Sequence, residues 1–225
     1  MSVPLMEIYE RLLDHFGRQY WWPAESPFEV LVSAVLVQNT SWSNVEKVMG
    51  ILREEGMRTV EDLDDLAIEE LFELIRPVGY YRIKGKRLKN LLAYIRDRHG
   101  GSLEAMFQTP LDRLRRELLE INGIGPETAD SILLYAGNLP TFVVDAYTLR
   151  IFARHGWAEP DCDYHQLKSL FEDGLERDAA LYNEYHALLV RLGKERCYKR
   201  KPQCQACPLE QFLPEGGPVE PVDGA

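Results

Sequence analysis

Four cysteines in 225 residues are too few for a disulfide-built secreted domain, and three of them crowd between Cys197 and Cys207. That grouping suits a metal site in a reducing compartment better than a disulfide framework. Long apolar runs are also missing. The most apolar stretch, Val30 to Val37, is far short of the roughly 20 residues a membrane-spanning helix needs. The opening residues, MSVPLMEIYERLLDHF, contain acids and no signal-type apolar core, so a cytoplasmic protein is expected, nucleoid-associated if bacterial. Positive charge is in deficit: 26 Lys and Arg against 36 Asp and Glu give a net charge of −10. A partner with a phosphate backbone would therefore need locally concentrated cations. No segment sustains strand-like alternation, and no internal repeat stands out.

What is present reads as helix. Hydrophobic residues make up 45 % of the chain, ordinary for a globular protein, and the length allows one or two domains with a real core. Periodicity and punctuation by Gly, Pro, Asn and Asp predict helices over 4–17, 26–38, 42–55, 66–76, 82–98, 110–120, 126–136, 145–155, 163–175 and 179–196. Phe28 to Val37 is apolar almost all round and should lie centrally. Residues 214–225, PEGGPVEPVDGA, are expected as a disordered tail. Cations concentrate in two runs. One holds Arg82, Lys84, Lys86, Arg87 and Lys89; the other holds Lys194, Arg196, Lys199, Arg200 and Lys201. The acids gather elsewhere, from Glu61 to Glu73. Taken alone, each run is as readily a solvated helix face.

Residues 119 to 145 carry the most information. A helix ends at Glu120, Asn122-Gly123-Ile124-Gly125 turns the chain, and Pro126 opens a second helix. Proline suits a first helical position because its missing N–H would have no partner there. Ala129, Ile132, Leu133 and Ala136 recur at helical spacing. Gly123 and Gly125 allow a tight turn and close approach to a ligand, and free N–H groups at a helix start suit a phosphate. A plain helix–helix corner has the same local pattern.

Five segments, in order over about residues 20 to 210, resemble the helix-hairpin-helix DNA glycosylases of the endonuclease III superfamily. They are VLVQNTSWSNV, RPVGYYRIKGKRLKNL, INGIGPETAD, Asp145 within VVDAYTLR, and CYKRKPQCQACPL. Trp21-Trp22-Pro23, Trp42 just after Gln38-Asn39-Thr40, and Glu127 are similar to the 3-methyladenine glycosylase branch. The resemblance implies an all-α fold of two lobes with a DNA cleft. Residues 27–138 would carry the hairpin; 1–26 with 139–213 would carry an iron–sulfur-type cysteine loop. It implies a monofunctional glycosylase that removes alkylated purines such as 3-methyladenine. The enzyme would act as a monomer on damaged double-stranded DNA, with no membrane partner. An endonuclease III-type enzyme for damaged pyrimidines or mismatches is the alternative. A hairpin module without catalysis is another, and the presence of Asp145 argues against it.

Asp145 is the candidate catalytic acid. Breaking an N-glycosidic bond builds positive charge on the sugar, which a carboxylate in a low-dielectric site stabilises. Aspartate is also a favoured helix N-cap. Glu127 occupies the hairpin position where bifunctional relatives carry a lysine that attacks the sugar, and a glutamate cannot form that Schiff base. It is either a pocket residue or a favourable first-turn acid. Trp21, Trp22 and Trp42 are candidates for a base pocket, because an electron-rich indole face attracts a cationic alkylated purine. By resemblance, Gln38 fills the duplex, with Asn39 beside it, and Gly123, Ile124 and Gly125 grip a phosphate. Lys84, Lys86 and Arg87 steer the DNA. The five histidines lack ligand-like spacing and receive no role. Cys197, Cys204 and Cys207 match the first three ligands of the family's [4Fe–4S] motif, but Leu213 stands at the fourth position. Cys162 completing the set, a non-cysteine or open fourth position, and an empty or zinc-binding site all remain open.

Overall fold

The computed structural model describes residues 3–219, and every regular element among them is helical. The chain divides into two compact units, Trp22–Leu139 and the segments on either side of it. The helices are α1 Leu5–Phe16, α2 Pro27–Leu36, α3 Trp42–Glu54, α4 Val60–Asp64, α5 Ile68–Leu74, α6 Tyr81–His99, α7 Leu103–Phe107, α8 Leu111–Leu119, α9 Pro126–Ser131, α10 Ala146–Arg154, α11 Tyr164–Gly174 and α12 Ala179–Glu195.

The middle unit is built around α2. Its sequence PFEVLVSAVL leaves no polar face, so every residue from Phe28 to Leu36 is buried. Ser26 starts it by accepting a hydrogen bond from the Glu29 N–H, with Pro27 at the first position. The one acid inside it, Glu29, is held by a two-pronged pair with Arg53 at 2.6 Å, which keeps its carboxyl below the usual range. Around α2 pack α3, α6, α9 and the wider π turn Ile132–Ala136 that continues α9. Two short helices escape the periodicity. Both α4 and α7 are five residues long, and both start on capping side chains, Thr59 and Ser102. The span expected as one helix over 66–76 is broken: α5 stops at Leu74, and Pro77 sits in a tighter turn, Arg76–Val78.

The outer unit joins α1 to α10, α11 and α12. Its core stacks Phe142 on Phe171 at 4.0 Å, with Phe152, Tyr182 and Tyr185 around them. Tyr185 OH donates to Leu5 O at 2.9 Å, which ties α1 to α12. Helix α12 packs chiefly on α10 and α1. Gly193 permits the α10 contact, since a Cβ there would fall 2.4 Å from the Tyr147 ring. Residues 214–219 do not hang free: Val219 N–H donates to Arg154 O at 2.8 Å. The rest of the stretch expected as a tail, 220–225, lies outside the described residues.

Candidate functional site

In the middle unit, α6 clamps the hairpin. Gly123 takes φ +97°, and a Cβ there would lie 2.1 Å from Arg87 Cγ. Arg87 Nη1 donates to Gln38 Oε1. Gln38 Nε2 donates in turn to Gly123 O at 3.2 Å and Thr128 Oγ1 at 2.9 Å, and Asn90 Nδ2 donates to Asn122 O at 3.0 Å. Gln38, Arg87 and Gly123, scattered in sequence, thus form one network. Ile124 is buried beneath the turn, Gly125 and Glu127 are exposed at the start of α9, and Asn39 is exposed in a left-handed conformation. The hairpin helices α8 and α9 are braced by Arg115, whose guanidinium pairs with both oxygens of the fully buried Asp130 at 2.8 and 3.0 Å.

The basic run on α6 needs correction. Lys84 is only 2 % exposed and lies on the buried side of α6. Its Nζ donates to Leu36 O and Val78 O, both at 2.9 Å, and burial lowers its pKa to about 8. It ties the end of α2, two residues before Gln38, to the turn before Tyr80. Lys89 is spent in the same way on the carbonyls of Leu63, Asp64 and Leu66. Arg82 and Lys86 remain exposed. Tyr80, which sequence reasoning passed over, is 73 % exposed in a left-handed conformation beside them. Replacing Lys84 with Met should cost about 1–3 kcal/mol by orphaning its two carbonyls. It should leave the salt dependence of DNA binding unchanged, whereas Lys86→Ala should lower the slope by about one. Denaturant titration and binding at several salt concentrations check both. A lower slope in Lys84→Met would mean the ammonium reaches phosphate.

Two of the expected aromatic residues meet. Trp22 lies edge-on to Trp42 at 5.3 Å, and Tyr135, carried by the π turn, adds a third ring 5.0 Å from Trp22. Trp22 Nε1 donates to Ser33 Oγ and Trp42 Nε1 to Glu46, so the indoles are fixed by their edges. Periodicity could not single out Tyr135, because a π turn shifts the helical register. Trp21 belongs to the outer unit, where Lys194 Nζ lies 5.5 Å over its ring.

Asp145 opens α10. Its Oδ1 accepts from Thr148 N–H at 2.8 Å and Thr148 Oγ1 at 2.9 Å, while Oδ2 faces His186 Nε2 at 3.7 Å. Burial alone would raise its pKa, but His186 and the two Thr148 donors outweigh burial and hold the carboxyl below its usual value. His186 is a functional neighbour that the sequence did not reveal. It sits inside the buried face of α12, and only the pairing of α10 with α12 exposes its role.

The far end of the same helix pair forms a pocket. Cys197, Cys204 and Cys207 line it together with Arg154, His155, Arg196 and Leu213. Arg154 Nη1 donates to Cys197 Sγ at 3.3 Å and to Tyr198 O at 2.7 Å. Burial pushes the Cys207 thiol up to about 11 and holds the His155 ring below its ordinary value. Cys162 does not line this pocket, which corrects its placement as a ligand. Its Sγ faces Asp163 O at 3.6 Å amid Glu159, Asp161 and Asp163. The reason is packing: α12 lies chiefly on α10, so Cys197 meets the end of α10 rather than the start of α11.

Residues 32–177 match the HhH-GPD superfamily of base excision DNA repair proteins. The chain belongs to this superfamily. A Methanocaldococcus jannaschii protein whose name provisionally assigns it to the DNA repair glycosylases is 47 % identical, over 92 % of this chain and 94 % of its own. A non-covalent endonuclease III–DNA complex superposes with a TM-score of 0.80 at 26 % identity, covering 95 % of this chain and 97 % of that one. Helicobacter pylori 3-methyladenine DNA glycosylase (MagIII), bound to 1,N6-ethenoadenine, gives 0.76 at 31 % identity, covering 86 % and 98 %. The fold is that of endonuclease III, and the protein is a DNA-binding base excision repair glycosylase. No described helix is long and apolar enough to cross a membrane.

Proposed function

We propose that this enzyme is a monofunctional glycosylase for alkylated purines such as 3-methyladenine. The observation that carries the reading is the edge-fixed cluster of Trp22, Trp42 and Tyr135 in the unit that also presents Glu127. Electron-rich ring faces favour a cationic base over a neutral one. Such a base is already a good leaving group, so the C1′–N bond breaks with its electron pair going to the base. Positive charge then develops on the sugar, and an ionised Asp145 opposes it. A carboxylate with a depressed pKa is a weak base, so electrostatic stabilisation is its main contribution. Water completes the substitution at C1′ and releases its proton. The hairpin Gly123, Ile124 and Gly125 would hold a backbone phosphate. Gln38, Asn39, Lys86, Arg87 and the exposed Tyr80 would engage the duplex, Tyr80 as an apolar wedge.

A panel of damaged duplexes, read with and without alkali, tests this. Release of 3-methyladenine with strand breaks only after alkali is the expected result. Release of damaged pyrimidines or mismatched bases instead would favour the reading suggested by likeness to endonuclease III. Because Glu127 offers no amine, borohydride should trap no enzyme–DNA adduct. A trapped adduct would show another amine acting as nucleophile.

The cysteine pocket fits a [4Fe–4S] cluster by its chemistry. Three thiols line it, and the buried Nε atoms of Arg154 and Arg196 have no hydrogen-bond partner there. An anionic cluster would satisfy both donors. Among the described residues, no three His, Cys, Asp or Glu side chains are grouped to hold a metal ion. Cys197, Cys204 and Cys207 would hold the cluster, and its contribution would be to fix the loop that follows α12.

A further inference from the structure

Asp145 meets a side chain from another helix, which its role as a cap does not require. We propose that His186 is a positioning residue for Asp145, presenting an Nε2–H to Oδ2 and so holding the carboxylate in one orientation toward the sugar. This rests on the reading that Asp145 opposes the positive charge that develops there.

The two residues meet because of how α10 and α12 pack. Tyr182, His186, Leu189 and Gly193 recur at helical spacing and are all buried, so they share one inner stripe of α12. At one end of the stripe Gly193 lets α10 come close, since a Cβ there would fall 2.4 Å from the Tyr147 ring. Arg150 on α10 ties the pair further by donating to Gly193 O at 3.2 Å and Cys197 O at 2.8 Å. A hydrocarbon would fill position 186 of such a stripe at no polar cost, whereas a buried imidazole must satisfy its ring nitrogens. Its Nε2 lies 3.7 Å from Asp145 Oδ2, between side chains only 7 % and 12 % exposed. An ionised carboxylate only accepts, so the nitrogen that faces it carries a hydrogen. At 3.7 Å the contact is electrostatic rather than a close hydrogen bond, and the low-dielectric surroundings strengthen it. Thr148 does not supply the same restraint. Both of its donors fall on Oδ1, at 2.8 and 2.9 Å, and both come from α10 itself. A carboxylate anchored at one oxygen still pivots about it. His186 meets the other oxygen from a second helix and stops the pivot. Burial raises the pKa of the carboxyl, and His186 is the strongest influence against it. A charge that must face a developing cation acts best when it is fixed beforehand.

The test uses the full chain, with single-turnover excision and equilibrium binding measured on a damaged duplex that wild type cleaves. His186→Leu should lower the single-turnover rate at least about tenfold while duplex affinity stays within about twofold of wild type. His186→Gln, whose amide N–H reaches the place of Nε2, should recover most of that rate. In the Asp145→Asn background, His186→Leu should cost nothing further, because the group it acts through has lost its charge. A merely structural histidine would slow both backgrounds alike. A second readout needs no activity. In protein labelled with nitrogen-15 only at histidine, Asp145→Asn should shift the ring resonances of one of the five histidines, the one missing from His186→Gln. If Asp145→Asn excises within about tenfold of wild type, the reading of Asp145 itself falls. If Asp145→Asn is slow but His186→Leu matches wild type, Asp145 keeps its role and the proposal for His186 is overturned. Equal losses in both backgrounds overturn it too, as does a His186→Gln no faster than His186→Leu. Where His186→Leu fails to fold, the labelled proteins still decide: His186 ring resonances unmoved by Asp145→Asn overturn the pairing.

Discussion

Asp145→Asn should lose more than about a hundredfold in excision rate, ~2.7 kcal/mol of transition-state stabilisation, while binding duplex DNA within a few-fold of wild type. The amide keeps the shape and can still accept from Thr148, so α10 keeps its cap. What disappears is the negative charge, and with it the attraction to a positive sugar. Single-turnover excision on a 3-methyladenine duplex, set beside equilibrium binding, separates the two effects. Excision within about tenfold of wild type, ~1.4 kcal/mol, would overturn the role. The pH dependence adds a second check. Because the folded carboxyl titrates below its ordinary value, it stays charged as pH falls through the range where a free aspartate protonates, near about 3.9. Asp145 should therefore produce no acid limb in the rate above about pH 4. Such a limb, absent from Asp145→Asn, would show that its carboxyl is not held ionised.

The legible part of this molecule was the part written in local pattern. A stretch apolar on every side, Phe28 to Val37, could only be a central helix, and it is. The hairpin glycines were readable because a positive φ and a close neighbour both demand glycine at position 123. Lys84 could have been read correctly. It shares a helical stripe with Leu88, Leu91 and Ile95, all buried, so its place on α6 pointed inward even though its charge pointed outward. Short helices such as α4 were signalled only by their caps, since five residues hold too little periodicity. His155 and His186 were illegible for a different reason. Nothing in their spacing marks them, and each gains meaning only where α10 and α12 come together, one beside the thiols and one beside Asp145. Cys162 failed on the same ground: sequence neighbours suggested an α11–α12 hairpin, whereas the glycine at 193 brings α12 close to α10.

Arg115→Met should destabilise the fold by about 3–5 kcal/mol at neutral pH, the largest stability effect expected of any single change in the hairpin. Asp130 is fully buried on α9, and the guanidinium from α8 supplies a counter-charge at 2.8 and 3.0 Å. Taking that cation away removes the guanidinium that balances a fully buried carboxylate. Adding Asp130→Asn to Arg115→Met should recover part of the loss, because the amide has no charge to strand. Urea titrations of the wild type and both variants at pH 7 give the comparison. A deficit below about 1 kcal/mol would show that the pair is a surface-like contact rather than the brace between the two helices of the hairpin.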